Sequence, residues 1–324
     1  MNNTEESDWG YRTSSSCNPN RTFPTQYPPI TMAANSSYKK GIILAGGTGS
    51  RLYPATRNVS KQLLTVYDKP MIYYPLSTLM LAGIDEILII STPQHLGCFE
   101  QLLGDGRDLG VALQYAAQPS PDGLPEAYGI GRSFVAKDNV AMILGDNVFY
   151  GEGFRQCLGA AAVRKAGGTI FVKAVQDAKR YGVLELDAKG RPLSLEEKPV
   201  KPKSNLAVTG IYFFDNRVLE IAADLKPSAR GETEIVDVIR RYLDLGELHV
   251  EQLDADCAWL DTGTPESLSQ AAHCIEVAER EQGIKIGCPE QAAFTMGRIT
   301  AKQLEKLADP LEKGYGDYLR SLLK

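Results

Sequence analysis

The chain has 324 residues, 43% of them hydrophobic and 23% charged, with a formal net charge of −5. This composition describes a globular protein of one large α/β domain or two smaller ones, long enough to bury a sizeable core. It excludes a nucleic-acid binder that works through a basic run, and no apolar stretch approaches the ~20 residues that cross a bilayer or forms a secretory h-region.

Residues 1–39 are polar, rich in Asn, Ser, Thr and Pro and without periodicity, and predict a disordered tail. Met32 is a natural start ahead of the first strand, and Glu5, Glu6 and Asp8 argue against a transit peptide. From Lys40 the texture changes. Gly41 to Ala45 is an apolar run with the length and branching of a buried strand. Gly46, Gly47, Thr48, Gly49 and Ser50 follow, then Arg51. Without a Cβ, the three glycines let the backbone turn sharply and approach a ligand. Successive N–H groups in such a turn point into one concavity and hold an anion, and a helix opening behind it adds its positive end. Arg51 adds a permanent guanidinium whose fork fits phosphate oxygens, so the stretch reads as a triphosphate cradle. The dinucleotide fingerprint fails, because counting from Gly47 puts Leu52 at the third glycine. The P-loop fails too, because its Gly-Lys-Ser/Thr element is replaced at Arg51.

Pro70 suits the first turn of a helix that continues through Ile72, Leu76, Leu79 and Met80 and stops at Gly83. Glu86–Ser91 is a continuous apolar strand of the parallel, doubly covered kind. A helix at 95–103, a strand at 111–117, a helix at 126–134, a strand at 140–144, a helix at 154–165 and a strand at 169–175 follow. That alternation predicts a doubly wound, mostly parallel sheet with ligands at the carboxyl ends of its strands. Beyond Tyr181 the pattern becomes a β-hairpin (183–187 and 193–197), a strand at 206–214 and an amphipathic helix at 233–245 closed by Gly246. The last sixty residues read as mostly helical, broken by Pro289 and Pro310.

Asp146 follows a strand in Gly145-Asp146-Asn147, where a hard divalent ion would sit. Asp261 ends a second apolar run ahead of Thr262-Gly263. An Asp at such a place is more often a turn former or helix cap than a metal ligand, and spacing does not show that the two meet. Lys61 and Lys198 are compact charges suited to phosphate, or else solvated surface side chains. Gln118 offers an amide donor and acceptor to a base edge from the Pro-braced loop ending at Gly123, which otherwise is a plain turn. The six cysteines show no C-x-x-C and read as idle thiols in a reducing compartment. Three histidines without ligand spacing argue against zinc and against a His-based relay.

The order and wording of GIILAGGTGSRLYPAT, SKQLLTVYDKPMIYYPLSTLMLAGI, QPSPDGL, LGDN, RYGVLE, LEEKP, SNLAVTGIYFFD and AWLDTGT closely match a family. From about Lys40 to the C-terminus the sequence resembles the sugar-phosphate nucleotidyltransferases, and within them the branch that transfers a thymidylyl group to glucose 1-phosphate. The resemblance implies a Rossmann-like domain over 40–285, with a nucleotide-binding part (40–175) and a sugar-phosphate-binding part (176–264), then a C-terminal helical segment (286–324). It implies dTTP and glucose 1-phosphate as substrates and Mg2+ as cofactor. Gly46, Gly47, Gly49 and Arg51 would hold the nucleotide phosphates, Lys61 the reacting centre, and Gln62, Gln118 and Gly123 the thymine. Asp146 and Asp261 would bind the metal and Lys198 the sugar's phosphate, while Tyr181, Gly182, Glu197 and Tyr212 would line the glucosyl pocket. It further implies a cytoplasmic homotetramer serving dTDP-rhamnose synthesis, with feedback inhibition by a dTDP-sugar at a separate site that includes Arg230.

One departure concerns the base: Pro125-Glu126-Ala127-Tyr128 replaces the family's usual Ala-Gln-Ala-Phe type of segment. Uridylyl transfer is therefore the nearest alternative. A nicotinamide-dependent dehydrogenase fails on the missing glycine, and a non-catalytic nucleotide-sugar sensor fails on the retention of Asp146, Asp261, Arg51 and Lys198 together.

Overall fold

A computed structural model describes residues 36–324. In chain order the elements are β1 (Lys40–Ala45), β2 (Thr65–Val66), β3 (Lys69–Pro70), α1 (Tyr73–Leu81), β4 (Glu86–Ser91), α2 (Leu96–Leu103), β5 (Ala112–Ala117), α3 (Glu126–Ile130), α4 (Arg132–Val135), β6 (Val140–Leu144), β7 (Asn147–Tyr150), α5 (Glu152–Ala162) and β8 (Gly168–Ala174). The second half adds β9 (Gly182–Leu186), β10 (Pro192–Glu197), β11 (Leu206–Phe214), α6 (Val218–Ala223), α7 (Ile235–Asp244), β12 (Leu248–Leu253), β13 (Ala258–Asp261), α8 (Pro265–Gln282), α9 (Pro289–Thr295), α10 (Ala301–Ala308) and α11 (Tyr315–Ser321).

The main sheet runs β12-β8-β11-β6-β1-β4-β5, with the β9-β10 hairpin pairing the start of β11. Strands β6, β1, β4 and β5 are mutually parallel, so their carboxyl ends share one edge of the sheet. β11 is antiparallel to both β6 and β8, which makes the sheet mixed. Period-two alternation splits each buried strand between two cores. Ile43, Ile87, Ile89, Ile143 and Phe213 face α1, α5 and the C-terminal helices. Ile42, Leu44, Leu88, Ile90, Met142 and Phe214 face α3, α4, α6 and α7. Both faces are covered, as the strand–helix alternation predicts.

Five local expectations change. Pro70 does not open α1; it ends the two-residue ribbon β2/β3, and α1 begins at Tyr73. The single helix expected at 126–134 is divided at Gly131. Pro289 opens α9 rather than breaking a helix, since a missing N–H costs nothing in a first turn. Tyr38, expected in the disordered tail, is fully buried with its ring edge-on to Phe213, so the ordered chain begins before Lys40; residues 1–35 of that tail lie outside the described residues. Cys98, Cys157, Cys257 and Cys288 are free thiols, whereas Cys274 is disulfide-bonded, which departs from idle thiols throughout. No helix among the described residues is long and apolar enough to cross a membrane.

Candidate active site

The glycine loop leaves β1 at its carboxyl end. Gly47 has φ +92°, and the position its Cβ would take faces no atom within 4 Å, so this side of the loop is open. Gly49 has φ +60°, and its carbonyl accepts a 2.7 Å bond from Thr56 Oγ1. The helix expected behind the loop is only a three-residue 3-10 turn, Ser50–Leu52. Its dipole is correspondingly small, which leaves the loop's own N–H groups and Arg51 as the positive elements.

Asp146 stands just beyond β6, where the Gly145 N–H extends the ladder onto Leu44 O at 2.9 Å. The chain then enters β7, which pairs antiparallel with β13 and sets Asp261 opposite Asn147. Two strands far apart in sequence thus bring the two carboxylates to adjoining positions. Thr262 Oγ1 donates to Asp146 O at 2.8 Å and fastens the junction. Asn147 is fully engaged: its Nδ2 donates to Asp146 Oδ1 at 3.0 Å, and its Oδ1 accepts from Trp259 Nε1 at 2.6 Å and from Gly210 N at 3.2 Å.

The charges around this pair differ. Lys61 Nζ forms an ion pair with Asp146 Oδ2. Burial pushes the Asp146 carboxyl up, but the Lys61 charge and the hydrogen bonds from Lys61 and Asn147 outweigh it and hold the group below the usual carboxylate range. Asp261 is raised, first by burial and then by the negative Asp146, with Arg180, Lys61 and Arg51 opposing. Arg180 approaches Asp261 Oδ2 at 3.5 Å. Arg51 and Asp261 meet over Gly263: a Cβ there would stand 2.9 Å from an Arg51 guanidinium nitrogen and 3.0 Å from Asp261 Oδ1. Two carboxylates and three cations therefore share one hollow.

The expected base-reading residues lie on its other flank. Gln62 is buried, accepts from Ser60 Oγ at 2.6 Å and donates to Gly46 O at 3.4 Å. Gln118 follows β5; its Nε2 donates to Glu126 Oε2 at 2.7 Å, and a Cβ on Gly46 would stand 2.8 Å from its Oε1. Gly123 has φ +127° and bridges to Thr233, whose carbonyl would be 2.1 Å from an added Cβ, so only glycine fits.

Among the sugar-side candidates, Tyr181 packs on Trp259 with ring centroids 5.1 Å apart, and burial followed by Asp261 raises its phenol. The Lys198 N–H donates to Tyr181 O at 3.0 Å, and its Nζ lies 3.3 Å from Glu197 Oε1. Gly182 gives way to Val236, which would stand 2.8 Å from an added Cβ. Tyr212 is buried and stacked with Phe214, its phenol raised by burial and then by Glu197 and Asp146. Arg230, expected at a separate feedback site, contacts Glu197 at 3.4 Å, together with Glu232 and Glu234.

Sequence reasoning missed Arg180, Asn147, Trp259, Thr262 and Glu126. All five lie inside stretches quoted for the resemblance or for the departure at Pro125–Tyr128, so the signal was present, but their contacts run through β7–β13 pairing or a loop and only the fold gives them a role. A separate cavity of about 410 Å³ lies behind β7, lined among others by Leu81, Phe149, Phe154, Ile286, Gln291 and Thr295.

A doubly wound sheet with an open glycine loop and a carboxylate pair at the parallel edge has the layout of a phosphate-handling α/β enzyme. The nucleotidyl transferase family model matches residues 40–277, and the chain belongs to that family. Its relatives include the glucose-1-phosphate thymidylyltransferase of Xanthomonas campestris pv. campestris (strain B100), 57% identical over 287 residues, covering 88% of this chain and 97% of the relative. That of Mycobacterium tuberculosis (strain ATCC 25618 / H37Rv) is 54% identical over 289 residues, covering 88% and 99%. A solved Bacillus anthracis chain, assigned as a glucose-1-phosphate thymidylyltransferase and complexed with sucrose, aligns with TM-score 0.67 and 40% identity over 72% of this chain and 94% of that one.

Proposed function

We propose that the protein transfers dTMP from dTTP to glucose 1-phosphate, releasing pyrophosphate and giving dTDP-glucose. The observation that carries this reading is the convergence of Asp146, Asp261, Lys61 and Arg51 beside an open glycine loop. The naming of relatives at 51–57% identity supports the thymidylyl branch in particular.

Charge dictates the mechanism. A phosphate oxygen of glucose 1-phosphate attacks the α-phosphorus, the new P–O bond forms in line, and the bond to the β-phosphate oxygen breaks as pyrophosphate leaves. Both reactants are anions, so they meet only where fixed cations neutralise them. Arg51 and the N–H groups around Gly46, Gly47 and Gly49 bind the triphosphate, Lys61 serves the reacting centre, and Lys198 holds the sugar's phosphate. Tyr181, Gly182, Glu197 and Tyr212 form the glucosyl side, and Gln62, Gln118 and Gly123 the base side. The attacking phosphate is already nucleophilic at neutral pH and needs no general base, in keeping with only three histidines in the chain.

The donor set fits Mg2+. No three His, Cys, Asp or Glu side chains among the described residues form a metal cage, but Mg2+ characteristically takes one or two carboxylates plus substrate phosphates and water. Asp146 and Asp261 are two hard oxygen donors whose mutual repulsion a divalent cation would relieve. Bound there, Mg2+ supplies charge neutralisation for the triphosphate.

The nucleotide part (40–175), the sugar-phosphate part (176–264) and the C-terminal segment (286–324) divide these tasks in a cytoplasmic homotetramer serving dTDP-rhamnose synthesis. Feedback by a dTDP-sugar requires a place apart from the reaction. In this reading Arg230 contributes to that place, and its contact with Glu197 at 3.4 Å links it to the sugar-phosphate part. The test is pyrophosphate release from glucose 1-phosphate with dTTP, UTP, CTP, ATP or GTP, with and without Mg2+. Highest turnover requires dTTP and Mg2+, and UTP trails by no more than about 10–200-fold because one methyl in a pocket discriminates no better. Release with ATP or GTP but not dTTP would overturn the assignment.

A further inference from the structure

Glu126 is one of the residues by which this chain departs from its family's usual segment, and it makes the contact that orients Gln118. We infer that Glu126 is a positioning residue that locks the Gln118 amide in one orientation, and thereby restricts the site to pyrimidines with an imide edge. The inference rests on the proposed role of Gln118 in reading the base.

A glutamine amide can present its oxygen or its nitrogen in nearly the same space, so an unrestrained one pairs equally well with opposite base edges. A carboxylate has acceptors only. The 2.7 Å contact to Glu126 Oε2 therefore has to come from the amide nitrogen, which fixes the other end of the group as the carbonyl. That carbonyl oxygen lies against Gly46, at the phosphate loop, so the amide opens toward the same hollow as the nucleotide phosphates. Gln118 is 6% exposed and its own backbone N–H is held on Ser91 O at 2.8 Å, so the side chain has little room to swing away.

In the locked state Gln118 offers Oε1 as an acceptor and its second Nε2 hydrogen as a donor. Thymine and uracil present an N3–H donor next to a carbonyl acceptor, and both pairs match. Cytosine presents an N3 lone pair next to an amino group, so acceptor would face acceptor and donor would face donor. A site whose buried polar groups are left unpaired rejects such a ligand far more strongly than a pocket rejects a missing methyl. Glu126 therefore sets imide against amino-pyrimidine, and has no part in distinguishing thymine from uracil.

Glu126→Gln tests this, because the new side chain can donate as well as accept and so releases the flip. Affinities of the full-length wild type and variant for dTTP, UTP and dCTP are measured by calorimetry, alongside kcat/KM for pyrophosphate release with glucose 1-phosphate. The preference for dTTP over dCTP falls by at least about tenfold in Glu126→Gln, while the dTTP-to-UTP ratio stays within about twofold, since only the hydrogen-bonded edge has changed. Glu126→Ala, which frees the amide to water, shows the same relaxation. An unchanged dTTP-to-dCTP preference, or equal weakening for all three nucleotides as a structural role would produce, overturns the inference. If the wild type binds dTTP selectively but does not turn over glucose 1-phosphate, the transfer reading fails and the inference on the base edge stands. If turnover is normal and the variant keeps full discrimination, the reverse holds.

Discussion

Asp146 and Asp261 carry the same carboxyl group under opposite electrostatic conditions. Asp146 is lowered on folding, so its contribution to stability is present above the ordinary carboxylate range and is lost as pH falls through its folded value. Asp261 is raised, so its ionised form costs stability at neutral pH. Asp261→Asn should therefore raise the melting temperature at pH 7 while lowering kcat, a separation that calorimetry and pyrophosphate assays resolve; a lower melting temperature would contradict it. Arg51 stands at the open loop, so Arg51→Ala should raise KM for dTTP far more than for glucose 1-phosphate. Equal increases in the two KM values would argue against its assignment to the triphosphate.

At the scale of elements, the site is held by ties between segments far apart in sequence. The β2/β3 ribbon, which follows Lys61 and Gln62, is anchored by the buried Lys69 to Glu279 on α8 at 2.8 Å, with Asp68 and Lys285 completing the cluster. Removing one partner of a buried pair leaves a charge uncompensated, so Glu279→Gln should cost about 3–5 kcal/mol in chemical denaturation. A loss below 1 kcal/mol, about what an exposed pair contributes, would show that the cluster is solvated. The same ties mark what the sequence could convey. The glycine loop, the strand ends at Ala45 and Leu144 and the Leu206–Phe214 strand were legible because each is a local pattern of branching, period and turn residues. The pairing of β7 with β13 was not, since four-residue strands separated by a hundred residues have no periodic signature, and it is that pairing which joins Asp261 to Asp146. Pro70 misled for a related reason: its fixed φ suits a helix start and a ribbon end alike.

For the whole molecule, β7 lies between the charged hollow and a second cavity. The parallel edge exposes the charged hollow, while the opposite end of β7 reaches a cavity of mixed polar and apolar lining between α1, α5, α9 and α11. The reaction depends most on the hollow itself, where cations and a carboxylate pair allow two anions to react. Asp146→Asn preserves shape while removing one negative charge, so the variant should still unfold cooperatively but release pyrophosphate from dTTP and glucose 1-phosphate at least about 10²-fold more slowly in Mg2+, the scale on which electrostatic catalytic groups act. Near-normal release by the folded variant would contradict the central claim.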